Sequence, residues 1–324
     1  MATFNRKGPL KRLLDSVAKQ TLPVDQFSVS VAIDGSTDGT NEALESWRKL
    51  WNFPVKICQQ PNQGAAKARD LAIRGSAGVH IVVTDDDMEL VPGFLAAHLA
   101  AQRKDPKAVV LGAIAPGSAL RRKPLYDALG EMQRGELESQ MATGQRVPGF
   151  DGFATGNVSF PRHLYESVGG FDFGLRVDED RELGVRMQRA GAVFIFANEA
   201  RAYHHSDIGH LSSWMKRQEL YGHLSVRVWT KHERTVDLHP MRNLIGGHGA
   251  KRLGVQTVAL FPAVIAPLVI LLVAVANVLR YLGVFKAGVG LFRMIQSILF
   301  VRGLSDELGN WRAFRQMMSD FRNL

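Results

Sequence analysis

Short hydrophobic runs rich in β-branched residues recur about every 25 residues through the first part of the chain, and helical patterns fill the gaps between them. The runs are Val29–Ile33, Val55–Cys58, Val79–Thr84 and Val109–Ile114, and the helical patterns are Asn41–Leu50, Gly64–Arg74 and Pro92–Arg103. Strands alternating with helices of this length predict βαβ units around a parallel sheet, an α/β fold. In such sheets ligands bind at the carboxyl ends of the strands, so the residues that follow the runs are the candidate site residues.

Acidic residues follow two of these runs. Asp34 comes after the first run, and Asp85, Asp86 and Asp87 come after the third. In an extended segment alternate side chains share a face, which predicts that Asp85 and Asp87 point the same way and Asp86 elsewhere. Two carboxylates on one face suit a hard cation such as Mg²⁺ or Mn²⁺, which also binds phosphate oxygens. A solvated acidic turn, or caps for the helix near Pro92, is the alternative.

The segment Asp34–Thr40 reads Asp-Gly-Ser-Thr-Asp-Gly-Thr. Its glycines permit tight backbone geometry, and Ser36, Thr37 and Asp38 can cap the helix that follows. A helix N-terminus in this position favours an anion or a hydrogen-bonding base edge, whereas a plain capped turn is the alternative. The dinucleotide fingerprint G-x-G-x-x-G and the P-loop are both missing, which weakens the dehydrogenase and NTPase interpretations.

A second acidic pair, Glu179 and Asp180, opens a predicted helix over Glu179–Ala190. Carboxylates in a first helical turn are stabilised by the helix dipole. The functional alternative is that one of them acts as a general base. Phe153–Phe160 and Val193–Ala197 are predicted strands on either side of this helix.

The chain carries a net charge of +9. Nucleotide phosphates, an anionic membrane surface and nucleic acid would all suit such a charge, as would a generally basic surface without a specific partner. The single cysteine, Cys58, excludes an internal disulfide framework and a metal site built from several cysteines.

Gly254–Leu279 is an uncharged stretch of 26 residues bounded by basic residues. As a helix it would be about 39 Å long, against about 30 Å for the hydrocarbon core of a bilayer. It is therefore a predicted transmembrane helix, with a buried core helix or a hairpin broken at Pro262 and Pro267 as the alternatives. A second apolar run, Ala287–Val301, is interrupted by Arg293 and is predicted to be interfacial, re-entrant or a weak second span.

The order and spacing of these motifs resemble those of the family 2 glycosyltransferases, which have the GT-A fold. The matching segments are Ala2–Arg6, Asp34–Thr40, Asn62–Gly64 with Ala68–Asp70, Val83–Asp87, Thr155–Asn157, Gly169–Asp172, Glu179–Arg186 and Tyr203–His204. Each motif is weak alone, but together, in this order, they make a specific signal. The resemblance covers about residues 1–210 and implies a Rossmann-like, mostly parallel sheet flanked by helices.

By this resemblance the chain transfers a sugar from a nucleotide-diphosphate donor with inversion at the anomeric carbon. The resemblance implies that Thr3, Asp34, Arg69, Asp85, Gly156 and Asn157 bind the nucleotide sugar. It also implies a divalent metal, Mg²⁺ or Mn²⁺, near Asp85 and Asp87, with His204 as a further candidate ligand and His205 as its alternative. Asp180 would be the general base, beside Glu179.

Three departures from the family pattern stand out. The family usually has a hydrophobic strand before the Ala2–Arg6 loop, and its loss would leave neighbouring backbone groups unpaired and the core open. We therefore expect a start upstream of Met1, an expectation that an in-frame stop codon directly upstream would contradict. Ile33 replaces a common acid and Asp70 a common asparagine. The Q-x-x-R-W signature of processive synthases is missing at Trp214–Glu219, which favours transfer of one sugar per encounter.

The predicted organisation is a GT-A catalytic domain over residues 1–230 and a membrane-associated helical region over residues 231–324. The predicted acceptor is a glycan or a lipid-linked molecule at the cytoplasmic face of the inner or plasma membrane, and nucleic acid is not an expected partner. Two alternatives remain open at this point. One is a nucleotidyltransferase that makes a nucleotide sugar, and the other is a non-catalytic membrane protein that binds one.

Overall fold

A computed structural model of the chain describes residues 1–206, 209–242, 263 and 265–322. The chain divides into two units, one of residues 1–118 with 133–206, and one of residues 119–132 with 207–324. Every candidate site residue lies in the first unit. The domain boundary near residue 230 stays a prediction, and the two units divide the chain earlier, at residue 206.

The first unit begins with a βα repeat around a three-stranded parallel sheet in the order β1-β2-β3. Its elements are β1 (Ala2–Thr3), α1 (Lys7–Val17), β2 (Val29–Asp34), α2 (Thr40–Trp47), β3 (Val55–Gln60) and α3 (Ala65–Gly75). Leu10, Leu13 and Leu14 of α1 are fully buried and pack with Leu44 of α2 and with Val31 of β2. The alternation of strands and helices predicted from the sequence is confirmed here.

The rest of the first unit is built on a five-stranded mixed sheet in the order β4-β7-β6-β8-β5. The elements of this part of the chain are β4 (His80–Thr84), β5 (Met88–Leu90), α4 (Phe94–Gln102), β6 (Ala108–Pro116), α5 (Leu125–Ala142), β7 (Asn157–Pro161), α6 (Arg162–Ser167), α7 (Glu179–Arg189) and β8 (Val193–His204). Only the β6–β8 pair is parallel, whereas β4–β7, β6–β7 and β5–β8 are antiparallel. The predicted strand Phe153–Phe160 starts only at Asn157, because residues 155 and 156 form a turn in which the N–H of Asn157 donates to the carbonyl of Ala154.

An open edge lies beside β4. Among the described strands only β7 pairs with β4, and β1 pairs with β2 at just two residues, Ala2 and Thr3. A cavity of about 320 Å³ lies here, and its lining includes Val29 and Ser30 of β2 and Ile81 of β4. The Oγ of Ser30 is buried there without a hydrogen-bond partner in the described part of the chain.

The second unit is helical, and its long helices are α8 (Leu211–Lys231), α9 (Ile265–Tyr281), α10 (Phe285–Glu307) and α11 (Trp311–Arg322). The apolar run Ala287–Val301 lies inside α10, and its residues Phe292, Ile295 and Ile298 are at most 2% exposed. Of the described helices, α10 alone is long and apolar enough to cross a membrane by length and composition. For the predicted span 254–279, residues 254–262 and 264 lie outside the described residues, and residues 265–279 belong to α9.

Two glycines set the crossing of α8 and α10. A methyl group at Gly222 would overlap the backbone carbonyl oxygen of Phe300, and one at Gly303 would overlap that of Glu219. Because these obstacles are backbone atoms, the helices cannot approach this closely with any side chain at either position.

We therefore expect Gly303→Ala to destabilise the protein, because the overlap forces the two helices apart at a cost of about 1–3 kcal/mol. The matched control is Gly290→Ala in the same helix, where an added methyl meets no atom within 4 Å. At that exposed position the higher helix propensity of alanine stabilises by up to about 1 kcal/mol. Urea unfolding followed by circular dichroism at 222 nm measures both. Equal stability of the two variants would contradict the role of Gly303.

Candidate active site

Asp34 ends β2 and organises the loop that starts α3. Its carboxylate accepts hydrogen bonds from the backbone N–H groups of Gln63 (2.8 Å) and Gly64 (2.9 Å) and from Nε2 of Gln60 (2.7 Å). Asp34 is 4% exposed, so these bonds compensate the loss of water around a charged group. The arrangement fixes the N-terminus of α3, the helix that carries Arg69. The predicted contact of Asp34 with the nucleotide stays a prediction.

The opening loop is bonded to the segment after Asp34. The backbone N–H of Thr37 donates to Oδ1 of Asn5 (2.7 Å), and the N–H of Asn5 donates to Oγ of Ser36 (3.0 Å). Gly35 lets the same segment pass close to Asn62, because its φ is 77° and a Cβ there would lie 2.7 Å from the backbone nitrogen of Asn62. These contacts hold the opening loop, which follows the buried Thr3, beside the carboxyl end of β2.

Arg69 joins two acidic segments that are far apart in the sequence. Its Nη2 lies 2.7 Å from Oδ1 of Asp85, which follows β4, and its Nη1 lies 2.8 Å from Oε1 of Glu179, which begins α7. Burial disfavours the charge on Arg69, yet the two carboxylates raise its pKa above the ordinary value. The planar guanidinium suits such a bridge, since its N–H groups reach two carboxylates at once.

The three adjacent aspartates do not divide as predicted. Asp86 and Asp87 both accept hydrogen bonds from the same nitrogen of Arg6, at 2.8 and 2.9 Å, whereas Asp85 is paired with Arg69. The prediction that Asp85 and Asp87 point together and Asp86 elsewhere is therefore wrong. It assumed an extended segment, but β4 ends at Thr84 and residues 86–87 form a turn, where alternate side chains need not share a face.

Arg6 is the main residue that the sequence interpretation missed. It lies at the end of the matched loop Ala2–Arg6, but nothing in the local sequence shows that its side chain reaches residues some 80 positions away. Burial raises the pKa of Asp86 to about 6, although Arg6 acts against that rise. Arg6 thus neutralises charge in the aspartate turn.

Asp87 is the aspartate best suited to a metal. Burial alone would raise its pKa, but His204 and Arg6 hold the pKa of Asp87 at about 2, so it is ionised at neutral pH. Nε2 of His204 lies 3.6 Å from its Oδ2, and its Oδ1 is buried without a hydrogen-bond partner among the described residues. The ring of His205 bonds Glu89 at 2.8 Å, so His204 is the histidine whose ring lies beside Asp87.

The geometry fits a metal ion that would be coordinated partly by protein side chains and partly by the phosphates of a bound substrate. Within the described ranges, no group of three His, Cys, Asp or Glu side chains is arranged to hold a metal ion. Asp87 and His204 are two candidate ligands, while Asp85 is held by Arg69. Mg²⁺ typically binds one or two carboxylates together with substrate phosphates, and the unpartnered Oδ1 of Asp87 offers such a position.

Glu179 and Asp180 begin α7 in different electrostatic settings. Burial and the neighbouring Asp180 raise the pKa of Glu179 to about 7, although Arg69 opposes this rise. Burial also raises the pKa of Asp180. Oδ1 of Asp180 accepts a hydrogen bond from the N–H of Arg181 (2.7 Å), and no Lys or Arg in the described structure forms an ion pair with it. Asp180 is therefore the candidate for a general base, whereas the carboxylate of Glu179 is occupied by Arg69.

The residue before α7 is in an unusual conformation. Asp178 has a φ of 64°, in the left-handed region that residues other than glycine seldom adopt. Such strain is maintained only where the surrounding structure imposes it, and it is concentrated at functional sites. Here it sets the direction in which Glu179 and Asp180 leave the backbone.

Gly156 and Asn157 have different surroundings. A Cβ at Gly156 would lie 2.7 Å from Cε of Met88 and 3.4 Å from Oδ2 of Asp85, so its backbone passes directly beside Asp85. The side chain of Asn157 is 2% exposed, donates to two backbone carbonyls at 2.8 and 3.0 Å, and bonds Nε2 of His98 at 2.8 Å. Both of its N–H groups are thus used inside the core. Its predicted contact with the nucleotide sugar remains untested.

Family models match most of the chain. A model described as "Glycosyl transferase family 2" matches residues 1–155, and one described as "Glycosyl transferase family group 2" matches residues 80–299, which is more than half of the chain. Among curated proteins, the chain is 27% identical over 221 residues to the validoxylamine A glucosyltransferase of Streptomyces hygroscopicus subsp. jinggangensis, covering 61% of this chain and 52% of that protein. It thus spans about half the length of this relative.

Another relative is the glycosyltransferase AglE of Haloferax volcanii, which is 24% identical over 232 residues, or 70% of this chain and 71% of that protein. Among solved structures, the chain is similar to the mannosyltransferase PcManGT of Pyrobaculum calidifontis in complex with GDP-Man and Mn²⁺. The TM-score is 0.60 at 20% identity, and the match covers 94% of this chain and 86% of that one. The chain is also similar to TarS 1–349 of S. aureus, with a TM-score of 0.56 at 18% identity, and this match covers 95% of this chain and 90% of that one. These structural matches confirm the predicted GT-A fold.

Proposed function

Because the chain belongs to the family 2 glycosyltransferases, it is a glycosyltransferase that uses a nucleotide sugar, and we propose that it transfers a single sugar to an acceptor hydroxyl with inversion. Asp180 is the proposed general base, and a divalent metal at Asp87 is the proposed cofactor. The proposed acceptor is a glycan or a lipid-linked molecule, reached at the cytoplasmic face of a membrane.

The observation that carries this proposal is the double ion pair of Arg69. The donor-side carboxylate of Asp85 and the carboxylate of Glu179 lie 2.7 and 2.8 Å from nitrogens of one guanidinium. Arg69 therefore sets the aspartate turn and the start of α7 at one fixed separation. In the proposed complex the diphosphate of the donor lies at the aspartate turn and its anomeric carbon lies near Asp180.

In the proposed reaction the acceptor oxygen forms a bond to the anomeric carbon while the bond from that carbon to the diphosphate oxygen breaks. The proton of the acceptor hydroxyl passes to the carboxylate of Asp180, whose raised pKa makes it a better base than an exposed aspartate. A single displacement of this kind inverts the anomeric configuration. When bound, the metal supplies positive charge that stabilises the leaving nucleoside diphosphate.

Solved structures of similar proteins support a nucleotide sugar as the donor. The solved complexes include GDP-Man with the mannosyltransferase of Pyrobaculum calidifontis and UDP-GlcNAc with TarS 1–349 of S. aureus. Mn²⁺ is present in the first of them. The base and the sugar differ between these proteins.

We expect a panel of UDP- and GDP-sugars, assayed with Mn²⁺ and membrane lipid extract, to yield nucleoside diphosphate from one donor at least about tenfold faster than from the others. Chelation by EDTA should abolish the release. Pyrophosphate formed from a nucleoside triphosphate and a sugar phosphate would instead identify a nucleotidyltransferase. Donor binding without turnover on any acceptor fraction would identify a non-catalytic binding protein.

A further inference from the structure

Helix α9 presents an apolar face to the outside of its own unit. One side of the helix is buried, with Ile265, Val269, Leu272 and Ala276 at most 8% exposed. The opposite side, which we term the α9 face, consists of Ile270, Leu271, Val275, Val278 and Tyr281, which are 40–90% exposed. Their spacing of 1, 4, 3 and 3 residues places them on one side of the helix.

A continuous apolar face of this kind is a functional signal. Single exposed apolar side chains are common on soluble proteins, but contiguous apolar patches mark sites that bind another apolar surface. Leu282 and Val284, which are also exposed, extend the α9 face towards the start of α10. The polar side chain Asn277 bonds the carbonyl of Val273 within α9, so it does not interrupt the patch with an unsatisfied group.

Helix α10 is long enough to span a membrane, but the exposed apolar surface belongs to helix α9. In α10 the apolar side chains are buried in the core of the unit, and its charged residues pair with α8: Arg302 lies 3.3 Å from Glu219, and Glu307 lies 2.8 Å from Arg227. Placing α10 across a bilayer would bring Arg302 and its partner Glu219 into the membrane, which is costly for charged side chains. Membrane contact through the α9 face needs no such burial of charge.

The charge around the α9 face suits an anionic surface. Residues 265–305, which form α9, α10 and the turn between them, contain four Lys or Arg and no Asp or Glu. At the C-terminal end of α9, Arg280 donates to the backbone carbonyl of Arg121 (3.4 Å), and Arg122 and Lys286 are exposed. Basic side chains beside an apolar face attract anionic lipid headgroups, whereas the same charges would repel a second copy of this face.

We propose that the α9 face lies in the plane of an anionic lipid surface and holds the protein there as a monotopic membrane protein. The apolar side chains enter the headgroup and upper acyl region while Arg122, Arg280 and Lys286 contact the headgroups. This inference concerns the helical unit and goes beyond the proposed sugar transfer, on which it does not depend. It gives the proposed membrane location a specific surface and orientation.

The orientation can be tested by the depth of labels. In a Cys58→Ser background, Ile270→Cys and Tyr281→Cys each carry a fluorescent label, and quenchers at known bilayer depths locate it in vesicles of phosphatidylcholine with 30% phosphatidylglycerol. The two positions are about 16 Å apart along the helix. In-plane docking predicts equal depths within about 5 Å, whereas a span predicts depths that differ by about 16 Å and overturns the proposal. A label change without vesicles that grows with protein concentration would assign the face to a second copy instead.

The energetic contribution of the face is tested by vesicle flotation. Ile270→Asp combined with Val278→Asp should reduce partitioning at least about tenfold, because two apolar side chains no longer enter the lipid. Lys286→Gln should reduce it about fivefold on anionic vesicles and not on neutral ones. Val147→Asp, at an even more exposed valine of the first unit, is the matched control and should have no effect.

Binding of the double variant at the wild-type level would overturn the proposal. Thermal unfolding of the same variant checks that the exposed substitutions leave the fold intact. Its rate of donor hydrolysis, measured without vesicles, should equal that of the wild type. A loss of lipid binding with normal hydrolysis therefore separates this inference from the catalytic proposal.

Discussion

Replacing Asp180 by asparagine is expected to lower kcat/KM at least about a thousandfold, because the side chain keeps its shape but can no longer accept the proton of the acceptor hydroxyl. Asp180 contributes its carboxylate at the start of α7, where Oδ1 accepts a hydrogen bond from the backbone N–H of Arg181. Binding of the nucleotide sugar should be retained, since Asp34 and Arg69 are unchanged. Release of nucleoside diphosphate gives kcat and KM, and calorimetry gives the donor Kd.

Glu179→Gln is the matched control for this experiment. Glu179 is held by Arg69 at 2.8 Å, so its loss should disturb the position of Arg69 and weaken donor binding without removing the base. The expected pattern is a loss of kcat for Asp180→Asn and mainly a rise of KM for Glu179→Gln. The opposite pattern, with Asp180→Asn as active as the wild type, would falsify the assignment of the base.

The pH dependence of kcat/KM follows from the pKa values of Glu179 and Asp180. Burial raises the pKa of Asp180 above the ordinary value for an aspartate, and it raises that of Glu179 to about 7. A base works only when ionised, so kcat/KM should rise with pH along an acid limb that lies above the ordinary titration range of an exposed aspartate. Because the two acids interact, the apparent pKa of this acid limb belongs to the pair and not to either residue alone.

Folding stability depends on pH with the opposite sign. Carboxyl groups whose pKa is raised in the folded state favour that state at low pH, and this contribution is lost as the pH rises through the raised pKa values.

The strands of this protein were predictable from local sequence, but their directions were not. Runs of β-branched residues located β2, β3, β4 and β6, because their apolar side chains have to be buried on the sheet. Hydrophobicity does not encode the direction of a strand, so the antiparallel pairing of β7 with β4 and β6 appears only in the structure. The helix α5 was missed because it contains Gly130 and Gly135 and mostly polar residues between them.

The candidate site, too, was predictable from the sequence only in part. The positions of Asp34 and Asp85–Asp87 at strand ends, and of Glu179 and Asp180 at a helix start, were predicted from order and spacing. Their partners were not, because the ion pairs of Arg6 and Arg69 join residues that are brought together by the fold. The assignment of the aspartates also depended on backbone geometry. A strand one residue longer would have turned the carboxylates differently, and no local residue pattern reveals where β4 ends.

The second large effect is expected at Asp87. Asp87→Asn should weaken Mn²⁺ binding in the presence of donor at least about tenfold and lower kcat/KM at least about a hundredfold, because an amide oxygen is a poorer ligand for a hard cation than a carboxylate. The wild-type carboxylate is ionised across the neutral range, since His204 and Arg6 hold its pKa at about 2. Electron paramagnetic resonance of free Mn²⁺ measures the binding without requiring turnover.

Asp86→Asn is the control that makes this test specific. Both carboxylates bond the same nitrogen of Arg6, at 2.8 and 2.9 Å, so each substitution removes one partner of that arginine. A disturbance that acts only through Arg6 would therefore affect both variants alike. A metal site predicts a different result, because Asp87 alone has His204 beside it and a buried oxygen without a hydrogen-bond partner in the described ranges. Equal Mn²⁺ affinity for the two variants would mean that Asp87 orients Arg6 and holds no metal.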